Sequence, residues 1–265
     1  MKPIEYPRQT VLVTGASSGI GAELARGLAA RGAALVLVAR RQERLDALAE
    51  ELADRYGVAA HVIALDLSTP QVGSVLDREL AARGIEITSV VNNAGFATHG
   101  PFHAEDPEAL RREIAVDVAS VVDISRTFIG RLDGFLVNVA SMAAYQANPT
   151  MAVYGATKAF VLSFTEALWY ESRGTGLRVL AVSPGATETE FFAVAGNGAD
   201  GGSRRMPAAA VADTTFHALA RRNPPPSVIA GRTNRLAAAV GRILLTRRQS
   251  TVLIGSMMNR AARTA

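Results

Sequence analysis

Residues 10–21 read Thr10-Val11-Leu12-Val13-Thr14-Gly15-Ala16-Ser17-Ser18-Gly19-Ile20-Gly21. Five β-branched and aliphatic residues predict a buried strand over 10–14. The glycines that follow, with Ala, Glu, Leu and Arg beyond them, predict a tight turn opening a helix over 19–31. Glycine in such a turn lets the backbone approach a pyrophosphate at the positive end of the helix, which makes Gly15, Ser17, Ser18, Gly19, Ile20 and Gly21 candidate phosphate ligands. A tight turn without any ligand uses the same residues, so the neighbouring sequence has to decide.

The same rhythm continues down the chain. Strands are predicted at 34–39, 60–65, 87–92, 135–140, 177–183 and 227–230, and helices at 41–56, 70–83, 107–131, 151–173, 207–222 and 234–248. Most of the strands are almost wholly apolar, as strands covered on both faces must be. The predicted fold class is therefore α/β, a single doubly wound parallel sheet (Rossmann fold) with helices on both faces.

With 265 residues and 49% hydrophobic side chains, the chain suffices for one substantial core, so 1–265 reads as a single domain. Disordered and fibrous classes are excluded. The opening MKPIEYPRQ lacks an apolar core and no run approaches about 20 apolar residues, so a cytoplasmic location is expected. The absence of Cys excludes disulfides and thiolate sites, and His61, His99, His103 and His217 lack metal-ligand spacing, so no metal is expected.

The net charge of +4 is unevenly distributed: residues 1–190 carry −5 and residues 191–265 carry +9. A basic tail on an acidic body points to an anionic ligand, a membrane surface or a subunit contact, and not to nucleic acid, since Lys runs with interleaved aromatics are lacking. Residues 186–206, which include Gly196, Gly198, Gly201 and Gly202, are expected to form a lid. Residues 234–265 read as a basic amphipathic tail. In its 234–248 helix, Leu236, Val240, Ile243 and Leu244 fall at helical spacing, with Arg235, Arg242, Arg247 and Arg248 around them. Such a helix packs on its own domain or a second subunit, or lies on anionic lipid.

Doubly wound sheets bind ligands beyond the carboxyl ends of their strands. At the end of the second strand, where an acid would bond a ribose 2′-hydroxyl, stand Arg40 and Arg41. Two guanidiniums suit a 2′-phosphate, so NADP(H) is the expected cofactor. Cations at a helix start oppose its dipole, which a bound anion would offset.

Tyr154 and Lys158 lie four apart in a helical stretch and share a face. The chain holds 26 Arg and only 2 Lys, so Lys158 is the only lysine beyond the first few residues. A compact ammonium at that place implies that a planar guanidinium fails there. The phenol's ordinary pKa is near 10, and the cation is expected to bring Tyr154 towards the working pH, as a general acid requires. Ser141 closes the fifth strand, where its hydroxyl either holds a carbonyl oxygen or bonds the local backbone.

In these motifs the chain resembles the short-chain dehydrogenase/reductase family over residues 8 to about 190: TGASSGIG at 14–21, NNAG at 92–95, Ser141, Tyr154-x-x-x-Lys158, and Pro184-Gly185 followed by Thr187 and Thr189. The resemblance implies an NAD(P)(H)-linked oxidoreductase, for which Arg40 and Arg41 favour NADP(H). It further implies that Tyr154 exchanges the proton, Lys158 binds the nicotinamide ribose, and Ser141 orients the substrate oxygen. Asp66 would lie near the adenine, Asn92 and Gly95 would support the cofactor cleft, Asn93, Ala94, Gly95, Pro184, Gly185 and Thr187 would bind the cofactor, and Thr189 would contact the carboxamide. Homodimers or homotetramers joined through 107–131 and 151–173 are implied as well.

One departure concerns the proton path. Where the family usually places Asn in the helix before Ser141, holding a water beside Lys, this chain has Asp117, read on one face with Ile114 and Val121. The expectation is that Asp117 takes over the water-holding role with an altered pH optimum. Phe96, Met142, Tyr145, Met151, Phe191, Phe192, Ala193 and Val194 are candidate pocket residues, which suit an apolar carbonyl or alcohol substrate. The competing readings are a dinucleotide-binding regulator without turnover and a lipid-surface protein on the same fold.

Overall fold

Val11 and Val13 of β1 (Thr10–Thr14) pack into one hydrophobic layer, while Leu12 between them packs into another on the far side of the sheet. The same alternation holds in β2 (Ala34–Ala39), where Leu35 and Leu37 oppose Val36 and Val38. Period-two alternation between two buried layers is what a sheet covered on both faces requires. The structure, a computed structural model, describes residues 2–196 and 198–264, with the side chains of Arg242, Ile243 and 262–264 left aside.

The remaining strands are β3 (Ala60–Ala64), β4 (Ser89–Asn92), β5 (Phe135–Val139), β6 (Arg178–Ser183) and β7 (Ser227–Ile229). All pair in parallel in the order β3-β2-β1-β4-β5-β6-β7. The order reverses between β1 and β4, and the carboxyl ends of those strands open a crevice there. The fold is the predicted α/β doubly wound sheet.

The helices are α1 (Gly19–Ala29), α2 (Gln42–Tyr56), α3 (Val72–Ala82), α4 (Pro107–Ile114), α5 (Ser120–Phe128), α6 (Ala152–Glu171), α7 (Phe191–Ala195), α8 (Ala208–Leu219), α9 (Arg232–Leu244) and α10 (Arg247–Thr264). One layer packs α1, α2 and α8 through Leu24, Leu28, Leu45 and Phe216. The other packs α3 and α5 through Leu76, Leu80, Ile124 and Phe128. No helix among the described residues is long and apolar enough to cross a membrane.

Two predicted helices are corrected. The stretch expected as one helix over 107–131 contains a π turn at Ala115–Ala119 between α4 and α5. The helix expected at 234–248 ends at Leu244, because Leu245 is extended (φ −111°, ψ 134°). A new helix then starts with a reciprocal cap, in which Thr246 N–H donates to Gln249 Oε1 at 2.9 Å and Gln249 N–H to Thr246 Oγ1 at 3.3 Å. That Thr-x-x-Gln capping box satisfies two amides that a continuous helix would bond internally. The expectations for Arg242, Ile243 and Asn197 fall outside the described side chains or residues.

Phe128 is fully buried in the α3–α5 layer. Phe128→Ala is expected to cost about 3–5 kcal/mol of unfolding free energy, measured as a shift of the urea midpoint at unchanged slope.

Candidate active site

β1 ends at Thr14, whose hydroxyl accepts the N–H groups of Asn93 (3.0 Å) and Ala94 (3.1 Å). Asn93 returns its side-chain amide to the carbonyl oxygen of Thr14 at 3.0 Å. These bonds hold the loop after β4 against the glycine turn, on the two sides of the crevice. Gly15 in that turn has φ +66°, and a Cβ there would lie 2.8 Å from Ala94. Only glycine allows both the conformation and the approach.

The crevice widens into a cavity of about 470 Å³ whose wall includes Gly15, Ser17, Ser18, Gly19 and Ile20. Arg40, Arg41, Asp66, Asn93, Ala94 and Gly95 continue that wall, and Pro184, Gly185, Thr187 and Thr189 close it. Gly21 lies behind the turn, where a Cβ would meet the Gly15 carbonyl oxygen at 2.3 Å. Asn92 stands behind the cavity wall and does not line it. Its amide donates to Asn138 (2.9 Å) and Ser125 (3.2 Å) inside the protein, because β4 alternation turns it away from its neighbour Asn93.

At α1 the N-cap Ser18 makes no side-chain bond to the first turn, so amides at the helix start face the crevice uncapped. This end, with close-approach glycines beside it, fits an anionic phosphate group. Arg41 spans the crevice: Nη2 donates to Ser17 and Ser18 at 3.0 Å each, and Nη1 to Glu190 at 2.7 Å. Arg44 donates to the other Glu190 oxygen at 2.5 Å. These bonds, those from Arg44 and Arg41 foremost, hold the Glu190 carboxyl down at about 2. A protein carboxylate is thus the partner of Arg41, and sequence reasoning overlooked Glu190. Arg40 is exposed beside Asp66, whose carboxylate accepts the Ser68 N–H and hydroxyl at 2.9 and 2.8 Å. Burial raises the Asp66 pKa, but these Ser68 bonds with Arg40 and Arg112 bring it below its usual value.

α6 presents Tyr154 and Lys158 on the cavity wall. Ser141, just past β5, accepts the Ala143 N–H at 3.1 Å, the local backbone bond of the two alternatives, and its hydroxyl acts on the phenol from the same cavity wall. The Lys158 ammonium donates to the Val139 carbonyl oxygen at 3.3 Å and sits 3.0 Å from Asp117 Oδ2, an ion pair without hydrogen-bond alignment. Asp117 lies in the π turn, fully buried behind the cavity wall, and its Oδ1 accepts the Phe96 N–H at 3.1 Å. A Cβ on Gly95 would fall 2.9 Å from both members of the pair, so glycine is what lets them meet.

The expected lowering of the Tyr154 pKa is not what the structure has. Burial pushes the phenol up, Lys158 and Ser141 act against it, and the charges of Asp117 and Glu113 add to the rise. Burial also disfavours the Lys158 ammonium, but Asp117 and its acidic neighbours push its pKa above the ordinary value. One cation shared among acidic groups cannot discharge the phenol by itself.

Glu113, also overlooked, is fully buried on α4. Its Oε2 accepts the Thr98 N–H at 3.1 Å and the Thr98 hydroxyl at 2.9 Å, while Oε1 has no hydrogen-bond partner. Burial, with smaller contributions from Asp117 and Glu105, pushes its carboxyl up to about 7 despite the Thr98 bonds. Ile114, expected on the inner face with Asp117, is instead exposed, because the π turn makes the residue four places back share that face. The signal available in the sequence was the four-residue spacing of Glu113 and Asp117.

On the apolar side Phe96, Met142, Met151, Phe191, Phe192 and Val194 line the cavity as expected. Tyr145 and Ala193 do not. The Tyr145 hydroxyl meets Ser183 Oγ at 3.3 Å, and Ala193 is exposed outside the cavity. α10 supplies three unforeseen lining residues, Ile254, Met257 and Met258. In the stretch expected as a lid, Thr187 bridges to Met206, and Arg205 holds Asp200 at 2.8 Å.

A family model described as short chain dehydrogenase matches residues 9–199. Sulfoacetaldehyde reductase 2 of Chromohalobacter salexigens is 38% identical over 213 residues, spanning 77% of this chain and 81% of the relative. A short-chain dehydrogenase from Sphingobium yanoikuyae, solved in complex with NADPH, superposes with a TM-score of 0.78 at 35% identity, covering 88% of this chain and 93% of that one. A structure reported for 7beta-hydroxysteroid dehydrogenase stereoselectivity superposes at 0.81 with 28% identity, covering 93% and 96%.

Glu113 makes stability depend on pH. An unfolded Glu loses its proton near the ordinary 4.5, whereas the folded one keeps it to about 7. Folding therefore favours the protonated acid; its full contribution is present below about pH 4.5 and is lost as the pH rises towards 7. The loss amounts to at most about 3 kcal/mol. Glu113→Gln cannot ionise, so its stability relative to the unmodified protein is expected to rise between pH 5 and pH 8 in paired urea titrations.

Proposed function

Since this chain belongs to the short-chain dehydrogenase/reductase family, we propose that it transfers a hydride between NADP(H) and an apolar carbonyl/alcohol pair, with reduction the direction in the cell. The observation that carries the proposal is the meeting of the Tyr154 phenol, the Ser141 hydroxyl and the buried Lys158 ammonium on a cavity that also holds the glycine turn. NADP(H), when bound, supplies or accepts the hydride.

The α1 amides, with the Ser17 and Ser18 hydroxyls, bind the pyrophosphate, and Arg40 and Arg41 take the 2′-phosphate, for which Arg41 gives up Glu190. The NADPH complex of the Sphingobium yanoikuyae relative supports this choice. Thr189, above the glycine turn, holds the carboxamide end, and Asp66 flanks the adenine. Asn93, Ala94, Gly95, Pro184, Gly185 and Thr187 shape the cleft between them. Ser141 and Tyr154 hydrogen-bond the substrate oxygen; Tyr154 gives its proton as the carbonyl becomes an alcohol and takes one in the reverse direction. Lys158 bonds the ribose hydroxyls and offsets the charge left on the phenol, with Asp117 holding the ammonium from behind.

The substrate side is apolar: Phe96, Met142, Met151, Phe192, Ile254 and Met258 stand there. A relative's name includes sulfoacetaldehyde, an anionic aldehyde. The exposed cations on this cavity, Arg40 and Arg41, stand at its opposite end, which favours an uncharged substrate here. Residues 186–206 act as the lid, and α10 closes the far wall.

Exposed Ile114 and Phe160 support homodimers or homotetramers joined through α4–α5 and α6. A second reading concerns the tail, because the described members of its stripe are not packed on the domain. Leu236, Val240 and Leu244 of α9 are 66%, 42% and 70% exposed, with Val252 and Leu253 of α10 also exposed. Residues 214–265 hold nine Arg and no acid. This face suits an anionic lipid surface.

Three measurements test these readings. A panel of aldehydes, ketones, 3-oxoacyl thioesters and steroid ketones with NADPH is expected to give turnover followed at 340 nm, and Tyr154→Phe to lower kcat about 10²–10⁴-fold. Tight NADPH binding with no turnover across the panel points to the regulator instead. Arg41→Ala is expected to raise the KM for NADPH about ten-fold or more while leaving that for NADH nearly unchanged. In sedimentation with vesicles, binding to phosphatidylglycerol-containing but not pure phosphatidylcholine vesicles, lost at 0.5 M salt, is expected. Equal sedimentation with and without vesicles, alongside a dimer that Leu236→Asp dissociates, assigns the stripe to a second subunit.

A further inference from the structure

Behind the cavity wall, two carboxyl groups and one ammonium are buried together. Glu113 and Asp117 are both 0% exposed and Lys158 is 5% exposed. Asp117 Oδ2 is paired with Nζ at 3.0 Å, whereas Glu113 is met only by the neutral donors of Thr98. A single cation does not fully offset two carboxylates removed from water, so below about pH 7 one of them holds a proton. Burial raises the carboxyl of Asp117 as well, but Asp117 alone has the ammonium and the Phe96 N–H to offset it, so it is the member that ionises first. Glu113 holds the proton, and it does so on Oε1, because Oε2 already accepts two hydrogen bonds.

We propose that Glu113 is a positioning residue for proton transfer: its neutral side chain lets Asp117 stay ionised against Lys158, and its ionisation adds a negative charge that holds Tyr154 in the protonated form. The inference rests on the catalytic roles proposed above for Tyr154 and Lys158.

The groups that act on Glu113 come from each neighbouring element. Asp117 stands one turn further along the same helical stretch, and Glu105 precedes α4; both are acidic and favour the neutral acid. Thr98, in the loop after β4, donates two hydrogen bonds that favour the carboxylate. On α6, Glu113 raises the pKa of both Tyr154 and Lys158 through its charge. The titration of this one carboxyl near neutrality therefore reaches the phenol.

The chemical consequence is directional. Carbonyl reduction needs the phenol protonated, so that its proton can pass to the substrate oxygen as the hydride reaches carbon. Alcohol oxidation needs the phenolate, which takes the hydroxyl proton as the hydride leaves. An ionised Glu113 favours the first state over the second. It thus biases the site towards reduction at and above neutral pH, with no contact to substrate or cofactor.

The test compares the protein with Glu113→Gln and Glu113→Asp. Alcohol oxidation with NADP⁺ is followed from pH 5 to 10, on the carbonyl/alcohol pair turned over best in the panel, with NADPH affinity read separately by fluorescence. The acid limb of kcat for oxidation is expected to move to lower pH in Glu113→Gln, giving about three- to ten-fold more oxidation near pH 7.5. NADPH affinity is expected to stay unchanged and Glu113→Asp to restore part of the original profile. A profile for Glu113→Gln that superimposes on the original overturns the proposal.

Infrared spectroscopy of the unmodified protein supplies a readout independent of activity and of the variant's folding. A carboxylic-acid carbonyl band is expected at pH 6 that fades as the pH passes about 7. Its absence across that range also overturns the proposal. Failure of every substrate in the panel, with that band present, counts against the oxidoreductase reading and leaves Glu113 protonated as inferred.

Discussion

The ion pair between Lys158 and Asp117, 3.0 Å long and almost wholly removed from water, is the contact on which the site is built. Removing two charges from water costs several kcal/mol each unless geometry and further bonds repay it. Here the carboxylate is held by the Phe96 N–H and the ammonium by the Val139 carbonyl. The pair ties α6 to the π turn after α4, and Gly95, having no side chain, lets the loop after β4 pass close beside both. Three elements that meet at the switch point of the sheet are thereby held around one positive charge.

That charge faces more negative partners than it can neutralise, and together with burial, which raises the Asp117 carboxyl despite Lys158, this sets the direction of the titrations around it. Tyr154 is pushed up because burial outweighs the help of Lys158. Lys158 is pushed up because acidic neighbours outweigh burial. Glu113, without a cation of its own, keeps its proton to about 7. At the other end of the cavity the balance is reversed: Arg41 and Arg44 outnumber Glu190, whose carboxyl is held far down. The cavity therefore has a cation-rich end suited to a phosphate and an acid-rich end around a phenol, with methionine and phenylalanine side chains between them and the tail helix.

Much of this was legible in the sequence where the controlling physics is local. β1 and its glycine turn follow from three apolar residues between two threonines and the glycines behind them. Tyr154 and Lys158 share a helix face at their spacing, and Ser141 stands where a strand must end. The capping box at Thr246 and Gln249 is equally readable in the sequence, but the expected helix ran through it to 248 and α10 was not foreseen. The resemblance placed Asp117 beside Lys158 through a water, but not in direct contact, since nothing nearby in the chain says that a residue 41 positions away will bring its ammonium to 3.0 Å.

The alternation of apolar strands with amphipathic helices determined the doubly wound sheet, because burial on both faces allows few other patterns, and that sheet in turn fixed which strand ends could bear chemistry. Only the tertiary structure decided that Glu113 is enclosed and Ile114 exposed, that Glu190 reaches Arg41 across the crevice, and that α10 returns to wall the substrate side. Each of these depends on distances between segments far apart in the chain. Burial and charge act through space, so the proton held by Glu113 becomes visible only once the groups around it have been brought together.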